Sequence, residues 1–314
     1  MARRALGPAT LEVVQAVEAV ADGPMLVACS GGPDSLALAA AAAVVGTRTG
    51  LGVRAAVVDH GLQSGSDDIA AGVVAKLAGL GLDAVVLRVA VDAAGGGVEA
   101  GAREARYAAL AEEAAPGEVV LLGHTLDDQA ETVLLGLARG SGTRSLAGMP
   151  FRRDVFVRPL LGVRAATTAA ACTELGLTAW LDPHNTDDRF TRARVRHRVL
   201  PVLETELGPG VAQALARSAE LARADADLLD DLAARELADH GAGGLDCDWL
   251  AGLHPALLTR VLRDWLRAAG AVDLSAAGIA AVASLGTDWH GQRWVEVPGV
   301  RIGREEGRLA VRRG

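Results

Sequence analysis

The 314 residues hold few aromatics, 3% of the chain, and only three cysteines. A core short of rings must be filled by Ala, Val, Leu and Gly, which suits close packing of helices on a sheet. Half of the residues are hydrophobic, enough for a sizeable core. Cys29, Cys172 and Cys247 are widely spaced, odd in number and form no CxxC pair. This argues against a disulfide framework and against a zinc or iron–sulfur site. The longest apolar run, residues 36–45, falls short of the roughly 20 residues that span a bilayer. Arg3 and Arg4 open the chain as a signal peptide would, but Glu12, Glu18 and Asp22 interrupt any apolar segment behind them. A cytoplasmic protein is expected. The net charge of −8 argues against sequence-wide attraction to nucleic acid and leaves room for a local basic patch.

The length predicts about two domains. Apolar runs at residues 25–29, 53–59, 84–91 and 118–123 read as buried strands, with a further strand at 155–160. Helical stretches lie between them at about 33–45, 67–79, 99–114 and 126–139. Apolar strands separated by helices predict an α/β fold, a doubly wound parallel sheet buried on both faces. From residue 211 the pattern changes. Residues 211–240 read as one long connecting helix, followed by helices at about 249–269 and 275–285. Segments 292–297 and 300–304 meet at Pro298-Gly299, a turn signal, and a third short strand follows Gly307. The expected organisation is a catalytic domain at 1–208, a connecting helix at 209–245 and a small α+β domain at 246–314.

The strongest motif is Ser30-Gly31-Gly32-Pro33-Asp34-Ser35, between a predicted strand and a helix. Neither the Gly-Lys-Ser/Thr ending of a Walker loop nor a GxGxxG fingerprint is present. The glycines let backbone approach an anion, and the helix start offers unpaired N–H groups and a positive dipole end. Ser30 and Ser35 add hydroxyls, Asp34 is placed to hold Mg²⁺ or orient a nucleotide, and Pro33 suits the first helical position. A plain strand–helix turn would not need two serines, two glycines and an aspartate.

Asp59 and His60 end the second strand, where ligands of open α/β sheets bind, although a capped strand end explains them equally well. The run Gly123-His124-Thr125-Leu126-Asp127-Asp128-Gln129-Ala130-Glu131-Thr132 closes the fourth strand and opens a helix. A capping box accounts for Thr125 and Asp128. It does not account for His124, or for Asp127 and Glu131 one turn apart on a shared face. Carboxylates so clustered suit Mg²⁺ or the ammonium of an amine substrate. Arg103 and Arg106 share a helix face and compete with a merely solvated reading. Arg189, Arg192, Arg194, Arg196 and Arg198 stand with His197 in ten residues free of carboxylates, which points to phosphates of ATP or RNA.

With AREARY at 102–107, Arg139-Gly-Ser-Gly, Arg158-Pro-Leu-Leu and Asp182-Pro-His-Asn185 added in this order, the chain resembles the tRNA(Ile)-lysidine synthases, of the N-type ATP pyrophosphatase (PP-loop) superfamily. The resemblance runs from about residue 26 to 203, and the tail resembles the family's first C-terminal domain. It implies adenylation of the carbon-2 oxygen of the wobble cytidine in a CAU-anticodon isoleucine tRNA. The ε-amine of free L-lysine then displaces AMP, giving lysidine, so the tRNA reads AUA instead of AUG. It further implies ATP on residues 30–35, Mg²⁺ near Asp34, and a reaction site lined by His124, Asp127, Asp128 and Glu131. Arg103, Arg106 and an arginine among Arg192, Arg194 and Arg196 are implied at phosphates. Many members have Arg-Asn where this chain has Arg192-Ala193. A second C-terminal domain of longer members has no counterpart here, so tRNA binding is expected to rest on the core, the long helix and one small domain. The sequence leaves oligomeric state open, a homodimer included.

Three other readings compete. Another PP-loop tRNA-modifying enzyme, a thiolase, shares adenylation but usually needs paired cysteines, and a glutamine-dependent synthetase needs a glutaminase domain. A non-catalytic nucleotide sensor of similar sheet topology has no use for residues 123–132.

Overall fold

The computed structural model describes residues 6–61, 65–90, 98–140, 142–180, 188–241 and 244–312. Arg3, Arg4, Leu62, Val91, Ser141 and the Asp182 to Asn185 motif lie outside them. The chain divides into two compact units, residues 1–220 and 221–314.

In the first unit α1 (Pro8–Glu18) precedes an alternating series: β1 (Met25–Ala28), α2 (Pro33–Thr49), β2 (Val53–Asp59), α3 (Ser66–Gly79), β3 (Asp83–Arg88), α4 (Val98–Glu113), β4 (Val119–Leu122) and α5 (Leu126–Ala138). After α6 (Thr143–Leu146) come β5 (Arg152–Arg153), β6 (Phe156–Val157), α7 (Ala165–Leu175), α8 (Thr191–Arg194) and α9 (Leu200–Glu206). The sheet order is β3-β2-β1-β4-β6-β5. All neighbours are parallel except the edge pair β5–β6. Because strand side chains alternate, the apolar runs serve two faces. Met25, Val27, Ala55, Val57, Val119 and Leu121 join a cluster with α1, α2, α3 and α7. Leu26, Ala56, Val120 and Leu122 face the other way, onto Leu110 and Tyr107 of α4 and onto Phe156. The doubly wound α/β expectation is met, with one antiparallel edge strand added.

Residues 155–160 were expected to form a strand, but only Phe156–Val157 do so. Pro159 brings no N–H to a ladder and opens a 3-10 turn, Pro159–Gly162. Between α8 and α9 the backbone widens into a π turn, Val195–Val199.

The helix α10 (Val211–His240) matches its expected span, and the division between units falls inside it. In the second unit, β7 (Leu245–Asp246), β8 (Trp294–Val297), β9 (Val300–Glu305) and β10 (Arg308–Arg312) form an antiparallel sheet of order β7-β10-β9-β8. The expected helix at 249–269 is two, α11 (Cys247–Gly252) and α12 (Pro255–Ala268). Pro255 disfavours helical backbone at the residue before it, and His254 instead caps α12, its Nδ1 accepting from Ala256 N at 3.2 Å. With α13 (Ala276–Thr287) these helices bury Leu250, Val261, Leu262, Leu266, Val282 and Leu285 against Ile302 and Leu309 of the sheet. Among the described residues no helix is long and apolar enough to cross a membrane.

Candidate active site

Strand β1 pairs β2 on one side and β4 on the other, so chain direction along the sheet reverses there. Crevices at such points, outside the carboxyl ends of strands, are where α/β sheets bind ligands. Residues 30–35 fill it. Gly31 adopts a φ of +85°, and a Cβ there would lie 2.5 Å from Val73 Cγ2, so glycine is needed for both backbone and space. Pro33 starts α2 with Gly32 as its N-cap, and no side chain caps the helix; its leading N–H groups stay available to an anion. Ser35 Oγ accepts from Ser30 N and donates to Gly32 O, both at 3.1 Å, and lies 3.2 Å from Ser30 Oγ. The neighbouring strand helps shape the loop. A Cβ on Gly123 would come within 3.1 Å of Ser35 N and Cα.

Asp34 points away from the sheet toward α7, where Thr168 Oγ1 donates to its Oδ1. Burial, opposed by that bond and reinforced by Asp128, pushes its carboxyl up to about 6. No set of three or more His, Cys, Asp or Glu side chains able to hold a metal occurs among the described residues. The half-buried Asp34 carboxylate, with Oδ1 bonded to Thr168 and Oδ2 uncommitted, does fit Mg²⁺ carried on substrate phosphates, which usually takes one or two protein carboxylates.

Helix α5 supplies three carboxylates, each already engaged. Asp128 completes a capping box, its Oδ2 accepting from Thr125 N at 2.8 Å and Thr125 Oγ1 at 2.9 Å. Its Oδ1 takes Arg196 Nη2 at 2.6 Å. Asp127 accepts from Ala165 N at 2.7 Å, tying down the start of α7, and pairs with Arg164 at 3.0 Å. Glu131 is fully buried; Arg196 Nε donates to it at 2.5 Å and Arg192 Nε lies 3.5 Å away. Burial pushes the Glu131 carboxyl above its usual range, opposed by the bond from Arg196. Burial works against the charge of Arg196, but Glu131, Asp128 and Asp34 outweigh it and hold that guanidinium protonated more firmly than usual. Two arginines of the run, Arg192 and Arg196, thus meet carboxylates on α5.

Around His124 the balance is opposite. His124 follows β4, and burial pushes it down to about 3, against Asp128 and helped by Arg158, Arg106 and Arg103. Burial and then Arg106 also lower His60, against Asp59. The buried Nδ1 atoms of both histidines and the Nε atoms of Arg106 and Arg158 have no hydrogen-bond partner. Such orphans are rare in folded proteins and mark places where something else binds.

Asp34, Asp127, Asp128, Glu131, Arg192 and Arg196 lie within electrostatic reach of one another, and His60, Arg103, Arg106, His124 and Arg158 form a second such group. Asp59 does not join them. Its Oδ1 accepts from Gly61 N at 2.9 Å, a local turn that holds the carboxyl below its usual range. Arg194 folds back onto the carbonyls of Asp188 and Arg189 at 2.6 and 3.0 Å. Thr168 and Arg164 escaped the sequence reading, since nothing near them in the chain signals a site. Arg158 opens one quoted motif and Tyr107 ends another, but neither carried a role.

A phosphate loop at the switch point of a parallel sheet, without a Walker lysine, defines an ATP-using enzyme of the PP-loop class. Residues 8–203 match the PP-loop domain family, and residues 245–310 match the TilS substrate binding domain. The tRNA(Ile)-lysidine synthase of Leifsonia xyli is 53% identical over 91% of this chain and 88% of its own length. The one from Mycolicibacterium paratuberculosis is 54% identical over 91% and 89%, and the one from Thermobifida fusca 51% identical over 91% of both. The chain belongs to the tRNA(Ile)-lysidine synthase family. A solved structure, the U34-tRNA thiolase NcsA from Methanococcus maripaludis, superposes with a TM-score of 0.58 at 17% identity over 68% of this chain and 78% of that one. The likeness is one of fold.

Proposed function

We propose that the chain uses ATP to activate the wobble cytidine of a CAU-anticodon isoleucine tRNA and joins free lysine to its carbon 2, giving lysidine. The observation that carries this reading is the loop at 30–35, with Asp34 in electrostatic reach of the α5 carboxylates and of Arg196, in a member of this family. The cytidine carbon-2 oxygen attacks the α-phosphorus and pyrophosphate leaves; the lysine ε-amine then attacks carbon 2 and AMP leaves. Free N–H groups at the start of α2, with the Ser30 hydroxyl, hold the phosphates where charge builds on the leaving group, and Ser35, bonded to Ser30 N and Gly32 O, keeps the loop in shape. Asp34 is the residue that would hold Mg²⁺, which neutralises phosphate charge.

Lysine arrives as an ammonium and must lose a proton to attack. His124, neutral and unpartnered at Nδ1, is the acceptor. Burial first, and then the nearby guanidiniums, push it down to about 3, which makes it a weak base. An anion among them raises its basicity, so the acceptor strengthens when substrate is in place. Asp127 and Glu131 receive the ammonium in exchange with Arg164 and Arg196. In this reading residues 1–208 are catalytic, 209–245 connect, 246–314 bind tRNA, and the protein works in the cytoplasm.

The test combines purified protein, Mg·ATP and labelled lysine with an isoleucine tRNA transcript carrying CAU, beside a methionine tRNA of the same anticodon. Label should enter the first far more than the second. Sulfur incorporation from a donor, without lysine transfer, would put the thiolase reading in its place.

A further inference from the structure

We infer that Arg158 and Tyr107 complete, with Arg103 and Arg106, a binding site for a phosphate ester beside His124. Arg158 is a binding residue in it, and Tyr107 positions the three guanidiniums. This rests on the adenylating reading of the crevice and adds residues to it.

Tyr107 is the only tyrosine of the chain. Its ring meets Phe156 of β6 edge-on, with centroids 4.8 Å apart, so the sheet fixes its place. The guanidinium carbons of Arg103 and Arg106 stand 5.3 and 5.6 Å from its centroid, within the range of cation–π attraction. Its hydroxyl accepts from Arg158 Nη2 at 3.1 Å. Arg158 is almost fully buried and is held a second time through Nη1, which donates to Pro150 O at 2.8 Å. One ring therefore organises three arginines from two distant parts of the chain.

What these arginines lack is a counter-charge. Among the described residues, none of the three forms an ion pair with a carboxylate, whereas Arg54 pairs with Glu113 and Glu118, and Arg196 with Glu131 and Asp128. Arg158 is buried and Arg106 half-buried, while Arg103 is exposed; buried charge without a counter-ion is costly, and a fold keeps it where a ligand supplies the partner. The orphaned Nε atoms of Arg106 and Arg158 add two donors that want acceptors. A phosphate ester offers several oxygens at diffuse negative charge, and guanidinium forks match that geometry. The place is right too. His60 follows β2, His124 follows β4 and Arg158 follows β6, so these side chains ring the carboxyl ends of the parallel strands. The ester can belong to the nucleotide or to the RNA backbone.

Two binding measurements separate these sources: Mg·ATP affinity without tRNA, and affinity for the CAU isoleucine tRNA transcript without ATP. Arg158→Met should weaken one of them roughly tenfold to a hundredfold, the loss of a charge-assisted hydrogen bond. Arg158→Lys, which keeps the charge without the fork, should recover part of that loss. Tyr107→Phe keeps the stack on Phe156 and should weaken the same ligand by roughly threefold to tenfold. Loss in the ATP arm assigns the site to the nucleotide, and loss in the tRNA arm assigns it to a backbone phosphodiester. Unchanged affinity in both arms would overturn the proposal and leave Arg158 as a tie for the Pro150 segment. Should Arg158→Met fail to fold, Arg158→Lys and Tyr107→Phe read the same two arms. Neither arm needs turnover, so an unaltered protein that binds both ligands but transfers no lysine would count against the reaction and not against this site.

Discussion

The two units treat buried polar groups differently. Every buried side-chain nitrogen or oxygen found without a hydrogen bond among the described residues belongs to His60, Arg106, His124, Glu131, Arg158 or Arg192, all in the first unit. The second unit also buries charge, but satisfies it. Arg260, its most buried cation, donates to Asp230 and to Ala256 O, both at 2.8 Å, and Arg263 joins the same aspartate at 3.1 Å. Unsatisfied groups lower stability. The first unit accepts that loss where a ligand can later supply partners, and the second is built as a satisfied scaffold.

The sharpest way to test the contrast is at the loop. Asp34→Ala and Ser35→Ala should lower tRNA-dependent ATP–pyrophosphate exchange by on the order of a hundredfold to a thousandfold, with circular dichroism unchanged. Near-normal exchange in both would remove residues 30–35 from the chemistry. Arg196→Met comes next. It leaves buried Glu131 with only Arg192, 3.5 Å away, and should cost about 2–3 kcal/mol of unfolding free energy, reduced from the fully buried case because Arg196 is partly exposed and Arg192 remains. The double variant with Glu131→Gln should recover most of it, and additive losses would mean the pair is not coupled.

Asp34→Asn should move stability the other way. The folded carboxyl titrates at about 6 against an ordinary 3.8, so the folded state holds the proton more tightly than the unfolded one. Asp34 therefore favours folding fully below about pH 4, and that contribution disappears as pH rises through about 6. The variant should gain on the order of 1–2 kcal/mol at pH 7.5 and lose this pH dependence in denaturant titrations. No gain would mean that Asp34 is better solvated than its burial implies. In the second unit Arg260→Met should instead destabilise by about 1 kcal/mol; a gain there would erase the contrast. The smallest effect belongs to the surface pair of Arg48 and Glu18 at 2.7 Å, where Arg48→Gln should shift stability by less than about 0.5 kcal/mol.

Much of this was legible in the chain. The buried strands, the loop at 30–35, the capping box at Thr125 and Asp128, and the shared face of Asp127 and Glu131 all follow from local pattern. Local pattern could not show where the arginines of the 189–198 run would turn. Its lack of carboxylates suggested phosphates, yet Arg196 reaches Glu131 and Asp128, more than 60 positions back in sequence. Tyr107 and Arg158 meet across a similar gap. Helices α1 and α7 were not anticipated; α7, AATTAAACTEL, has too little amphipathic contrast to stand out. The break before Pro255 was visible as a proline, but the apolar spacing on either side hid it.

Gly123 couples the design of two segments. A side chain there would press on the backbone of Asp34 and Ser35, so the residue ending one strand limits what the loop after another strand can become. A wider loop at 30–35 needs a strand end that still leaves it room. Attempts to redirect the loop toward a bulkier nucleotide should therefore vary residues 30–35 while keeping position 123 as glycine.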